Sequence, residues 1–145
     1  ASKLAKQHGK KSEYALCAAQ WHKELSYKDD FFGDGLKYDN DFNMEFGYTP
    51  PYQAAESSAA LLVWKDAFER ANSFDTEKVR DALAKTDMQT FYGNIKFGSG
   101  GQNTAKPMVL FQVRCEGDTC ENKVVAPTKW ASAKLVHPIP KWSER

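Results

Sequence analysis

Short apolar runs alternate along the chain with polar, glycine-bearing stretches, and the spacing of the runs predicts mixed helix and strand. Residues 1–8 read as the tail of a helix that Gly9 stops in the left-handed conformation, with basic side chains near its C-terminal end. Residues 14–19 form a continuous apolar run, the pattern of a strand covered on both faces as in a parallel sheet. Gln20-Trp21-His22 leaves that strand, and residues 23–35 read as a polar, aromatic-bearing loop broken by Gly33 and Gly35. From Leu36 to Phe46, apolar residues at Leu36, Tyr38, Phe42, Met44 and Phe46 make an imperfect helical stripe ended by Gly47.

Thr49-Pro50-Pro51-Tyr52 is a helix start with proline in its first turn, and the helix is predicted to run to about Ala71. Its apolar residues occupy two adjacent stripes, Ala55, Ala59, Leu62 and Val63 beside Leu61, Trp64, Phe68 and Ala71. Much of its circumference should therefore be covered, as in a helix packed centrally in a lobe. Asp75 is placed to cap a short amphipathic helix over residues 76–85, with Phe74 and Val79 spaced for a hydrophobic staple. Residues 90–97 read as one alternating strand, followed by a loop over 98–105 rich in Gly, Asn and Ser. Strands over 107–114 and 122–126 are predicted to pair antiparallel across a turn, and the Pro-bearing end to lie extended.

Cys115 and Cys120 flank that turn with Glu116-Gly117-Asp118-Thr119 between them. The spacing predicts a disulfide at the hairpin tip, which leans towards an oxidising compartment, and two free thiols on an exposed turn are the other reading. A zinc site using these thiols and His137 lacks the paired spacing such sites show.

Composition and charge narrow the classes. The 145 residues carry 20 Lys plus Arg against 19 Asp plus Glu, so the formal charge is +1, and 41% of residues are hydrophobic. That is a folding composition, and its length permits one self-sufficient core. The balance of charge argues against a nucleic-acid partner, because phosphate binders concentrate a basic surplus. No apolar run approaches the ~20 residues needed to span a bilayer. The opening residues lack the apolar centre of a secretory leader, so either none existed or the leader has been removed.

Catalytic chemistry finds little support. Gly98-Ser99-Gly100-Gly101 is followed by Lys106-Pro107 leading into a strand, so it reads as a turn rather than a phosphate loop opening a helix. His8, His22 and His137 have no nucleophile motif near them, and Asp29-Asp30 and Asp39 with Asp41 read as solvated charge. A non-enzymatic protein without cofactor or metal is expected. Gln20-Trp21 and Tyr52 combine aromatic planes with hydrogen-bonding tips at the ends of predicted core elements, which is what pockets for small amphipathic molecules use, although packing explains them as well.

The order of motifs resembles a known family. The run ending in Gln20-Trp21, then Phe46-Gly47-Tyr48-Thr49-Pro50-Pro51-Tyr52-Gln53-Ala54-Ala55, is similar to the solute-binding proteins of branched-chain amino-acid-type ABC importers, the leucine/isoleucine/valine-binding-like group. Val79-Arg80-Asp81-Ala82-Leu83, Thr90-Phe91-Tyr92-Gly93-Asn94-Ile95-Lys96-Phe97, Gly101-Gln102-Asn103, Gln112, Val124-Val125-Ala126-Pro127 and Pro138-Ile139-Pro140-Lys141-Trp142 continue the likeness in order.

The resemblance implies an α/β, type I periplasmic-binding-protein fold, two Rossmann-like lobes with crossover hinge strands, of which this chain resembles the C-terminal portion. Residues 14–97 would hold mostly N-terminal-lobe elements between two crossover strands, at 14–19 and 91–97, and residues 98–145 the strands and tail of the C-terminal lobe. It further implies a periplasmic or extracellular protein that binds an amino-acid-like, amide or aromatic-acid solute in an interlobe cleft and delivers it to membrane permease subunits. A ligand-sensing regulator or receptor domain on the same fold is the alternative. Matched positions place Tyr52, Gln20 and Trp21 at the cleft, and Glu56, one helical turn after Tyr52, at the same rim. The residues that grip a ligand carboxylate in that family lie in its N-terminal part. The expected partners therefore include a missing N-terminal part or a second copy exchanging elements.

Overall fold

The computed structural model describes residues 3–144. In chain order the elements are α1 (Lys3–His8), β1 (Leu16–Ala19), β2 (Lys28–Asp29), β3 (Gly33–Asp34), α2 (Gly35–Phe46), α3 (Tyr52–Ala71), α4 (Thr76–Ala84), β4 (Asp87–Thr90), β5 (Gly93–Lys96), β6 (Val109–Glu116) and β7 (Thr119–Ala126), with short 3₁₀ turns at Gly9–Ser12, Thr128–Trp130 and Trp142–Glu144. They divide into two compact units, one made of Ala1–Glu24 with Met108–Arg145 and the other of Leu25–Pro107.

The first unit is a three-stranded antiparallel sheet in the order β1-β6-β7. Val109, Val113 and Val124 alternate inward and are almost fully buried, and α1 adds Ala5 to a cluster with Val113 and Cys120. Gln112 is fully buried at the centre of β6: its amide nitrogen donates to Tyr14 O and Val136 O at 3.1 Å, and its oxygen accepts from Val136 N at 3.0 Å. One side chain thereby ties the entry to β1 and the extended tail to the sheet, satisfying groups that burial would otherwise orphan. The predicted disulfide joins Cys115 to Cys120, which face each other across the β6–β7 ladder. Between Leu110 and Phe111 the register slips by one, so that β7 offers an extra residue, Val125, at a bulge.

The expectation for residues 14–19 does not hold. β1 pairs antiparallel with β6, and Leu16, Cys17 and Ala18 are exposed. An apolar run made largely of Ala and Cys reports only low polarity. Cover depends on what packs against it, and among the described residues β1 has one strand neighbour.

The second unit is built on helices. α2 is capped by the Asp34 side chain, which accepts from Lys37 N at 2.8 Å, and ends where Gly47 takes φ +74 and donates its N–H to Asn43 O. α3 buries Ala55, Ala59, Leu62, Val63 and Ala67, and its second apolar stripe is partly covered: Leu61 is 68% exposed, while Phe68 and Ala71 pack against Ala67, Val79 and Ala82. Trp64 stacks on Phe68 at 5.6 Å and Phe68 meets Phe74 at 5.3 Å, so the stripe carries a half-exposed aromatic row and is covered less fully than expected. Phe74 is 89% exposed and makes no staple; Val79 packs with Ala67 and Ala82 while Asp75 caps α4 as expected. Arg70 bridges the helices, donating to Ala82 O at 2.8 Å and Thr86 Oγ1 at 3.1 Å.

Residues 90–97 are not one strand. β4 and β5 form a hairpin in which Thr90 pairs with Gly93, leaving Phe91 and Tyr92 as the turn. Thr90 Oγ1 donates to Gly93 O at 2.9 Å and closes that turn, and Gly93 has φ +144, a conformation that favours glycine. The turn points into the core. Phe91 is fully buried, stacked on Tyr38 at 4.2 Å and against Phe32 at 5.1 Å.

Candidate functional site

A polar and aromatic corner forms where α3 begins. Pro51 precedes the helix in an extended conformation, and Ala54 N–H donates to Pro51 O, so the first turn is set by the two prolines without a side-chain cap. That turn presents Tyr52, 38% exposed, and Glu56 follows one turn later, also exposed. Tyr92, from the β4–β5 turn, and Lys106 complete the corner. The Lys106 ammonium sits over the Tyr92 ring, 3.9 Å from its centre, a cation–π contact. The lysine stem runs along Gly93 so closely that a Cβ built there would fall 2.6 Å from Lys106 Cε. The glycine thus serves both the hairpin turn and the seat of the lysine.

These groups act on one another. Burial draws the Lys106 pKa down to about 8, and the Glu56 carboxylate opposes part of that shift. Burial pushes the Tyr92 hydroxyl well above the usual phenol range, helped by Glu56 and Tyr52, so Tyr92 stays a neutral donor and acceptor. Next to the corner, a groove of about 530 Å³ runs between α3, α4 and the hairpin, lined by Ala59, Val63, Trp64 and Ile95 together with the polar groups of Glu56, Tyr92, Arg80, Ser99 and Asn103. A mostly apolar hollow with a few convergent polar groups suits a small amphipathic molecule.

The four residues singled out by sequence are placed as follows. Tyr52 and Glu56 share the corner. Gln20 and Trp21 follow β1 in the other unit, Gln20 half-buried and Trp21 buried. Tyr92 and Lys106 were not singled out by the sequence. The signal for Tyr92 is its position before a glycine in a tight turn, while Lys106 is a lone basic residue in a loop and carries no local pattern.

A second hollow, of about 600 Å³, is flanked by Asp29, Asp30, Lys65, Asp66 and Glu69. Asp29 is not simple solvated charge. Its carboxylate accepts from Phe31 N and Phe32 N, and from Phe91 N at 2.6 Å. Among the described residues no cluster of His, Cys, Asp and Glu is arranged to hold a metal ion, and no helix is long and apolar enough to cross a membrane.

No protein-family model matches the chain. Solved structures do. A leucine-binding protein from Thermotoga maritima superposes with a TM-score of 0.65 at 23% identity, covering 86% of this chain and 34% of its own. A periplasmic binding protein from Burkholderia mallei gives 0.68 at 16% identity, over 90% of this chain and 37% of its own. An ABC transporter substrate-binding protein from Desulfitobacterium hafniense, solved in complex with Leu, gives 0.58 at 18% identity, over 77% and 31%. All three are binding proteins, and the chain spans only about a third of the length of each. The chain therefore folds as a portion of the type I periplasmic-binding-protein fold.

Proposed function

We propose that the chain is part of the solute-binding component of an ABC importer, acting in the periplasm or outside the cell. In this reading it contributes to the cleft of the complete two-lobed fold, where a small amino-acid-like, amide or aromatic-acid solute is held. The observation that carries it is the corner of Tyr52, Glu56, Tyr92 and Lys106 beside an apolar groove, within a fold shared with solute-binding proteins. The Cys115–Cys120 disulfide supports an oxidising compartment.

In this reading residues 25–107 belong mostly to one lobe and residues 1–24 with 108–145 to the other, with 14–19 leading into the first crossover. Gln20 and Trp21 line the cleft beside the first crossover, while Tyr52 and Glu56 stand at its rim. Affinity arises from closure over the solute, without turnover, and permease subunits receive the closed form. The test is calorimetry and thermal melting of the full-length protein with amino acids, amides and aromatic acids. A dissociation constant of micromolar order with a raised melting temperature is expected. Failure of every compound to bind overturns the reading.

A further inference from the structure

The two compact units carry opposite surpluses of charge. Ala1–Glu24 with Met108–Arg145 holds 11 Lys and Arg against 6 Asp and Glu, while Leu25–Pro107 holds 9 against 13. The near-neutral total thus hides a basic unit and an acidic one. In the first unit lysines gather on α1 and the turn that follows it. Ala5 faces the core with Val113 and Cys120, and Lys6, His8, Lys10 and Lys11 are exposed. The tail is brought to the same place: the Trp142 ring meets His8 edge-on, with centres 5.7 Å apart, and Lys141 comes with it, also exposed. Trp142 keeps 48% of its surface open, and Leu4, on the flank of α1 that carries His8, keeps 38%. Glu144, which accepts from Lys141 N–H, and Glu13 at the end of the turn offset these lysines in part.

From this patch we infer that the first unit rests on the headgroups of an anionic lipid bilayer. Lys6, Lys10, Lys11 and Lys141 offer mobile point charges on flexible stems, with no guanidinium among them to form a two-pronged bond. A charged lipid surface has no fixed geometry to match, so such a set suits it. An acidic protein face would select differently, because interfaces between proteins are enriched in Arg and depleted in Lys. A half-open Trp beside the lysines fits the same surface, since its ring is apolar with one polar edge and settles at headgroup depth. The attraction falls off within a Debye length, so the attachment is reversible and salt-sensitive. The acidic surplus of the second unit is repelled by the same lipid, which leaves the first unit to make the contact. The inference goes beyond the solute-binding reading and does not depend on which solute is held.

The experiment sediments the full-length protein with vesicles of equimolar phosphatidylglycerol and phosphatidylcholine, and with vesicles of phosphatidylcholine alone. Binding to the first and not to the second is expected, weakening roughly tenfold or more as salt rises from about 0.05 to about 0.3 M. Lys6→Gln/Lys10→Gln/Lys11→Gln should lose roughly tenfold or more in vesicle affinity, whereas Lys28→Gln/Lys78→Gln/Lys85→Gln, which removes exposed lysines of the second unit, should lose little. Tryptophan emission should move to the blue on the anionic vesicles, and much less in Trp142→Phe, which keeps a ring against His8. Unfolding midpoints confirm that each variant folds. If the wild type ignores anionic vesicles, or if both lysine sets lower binding equally, the inference is overturned. Retention on poly-L-glutamate without vesicle binding overturns it too and assigns the lysines to an acidic protein. A blue shift that survives in Trp142→Phe places the contact elsewhere and has the same effect. None of these outcomes touches the solute-binding reading, which calorimetry tests separately.

Discussion

The carboxylate of Asp29 accepts a hydrogen bond from the backbone N–H of Phe91 at 2.6 Å, across 62 residues of sequence. A short strand pair near the start of the second unit is thereby pinned to the buried turn of the β4–β5 hairpin. Asp29→Ala removes that acceptor and those of Phe31 and Phe32, and should destabilise the unit by about 1–3 kcal/mol. Asp29→Asn, which keeps a neutral acceptor, should cost less. Urea midpoints of the two variants decide this, and equal losses would point to the charge itself.

Gly93→Ala tests the seat of Lys106. The new Cβ would meet the lysine stem and force alanine to a positive φ, for a loss of about 1–3 kcal/mol. Gly101→Ala is the comparison, since its φ is +80 but no neighbour lies within 4 Å of a Cβ there. A smaller shift in its unfolding midpoint is expected. Equal shifts would mean that the lysine moves aside freely.

Tyr52→Ala should weaken solute binding roughly tenfold while leaving the melting temperature within a few degrees, because the ring is partly exposed and the helix start is set by its prolines. An unchanged dissociation constant removes Tyr52 from the site.

His22 makes stability depend on pH. Burial lowers its pKa below the ordinary 6.5, although the Glu24 carboxylate at 3.8 Å opposes the shift, so the folded chain holds a neutral ring. Below about pH 6.5 the unfolded chain takes up a proton that the folded chain refuses, and stability therefore falls as pH drops. Urea midpoints between pH 7.5 and 5.5 should decline in the wild type and decline less in His22→Gln. Parallel declines would exclude His22 as the cause.

The disulfide closes a short loop, the two cysteines standing five positions apart, so its contribution is modest, about 2 kcal/mol. Alkylation of the unfolded, unreduced chain should label Cys17 alone, and reduction should expose two more thiols. Labelling of all three before reduction would refute the bridge.

Elements marked by local chemistry were legible in the sequence. Gly47 ends α2 and Asp75 starts α4 as their residue types demand, and the paired cysteines marked the β6–β7 turn. The β4–β5 hairpin was not legible, because Phe91 and Tyr92 are apolar residues in a turn that faces the core, and turns usually announce themselves by polarity. The exposure of Leu16 and Leu61 was hidden for a different reason: an apolar residue states what it prefers, while its neighbours decide whether it is covered. At the candidate corner, the place of Tyr52 at a helix start was readable. Lys106 was not, since the glycine and the ring that seat it lie more than ten residues away and meet it only in the folded chain.

The bulge at Val125 governs where the first unit tolerates changes in length. Adjacent residues of a regular strand face opposite ways, yet Val124 and Val125 are both buried, because the extra residue restarts the count of inward and outward positions. Deleting Val125 would straighten the ladder and turn the side chains beyond it to the wrong face, undoing the pairing of Ser132 N–H with Val124 O that begins the tail. An insertion at the Gly117 tip would leave both strands in step. Homologous chains should therefore vary in length at that tip and keep their spacing between Cys120 and Ser132.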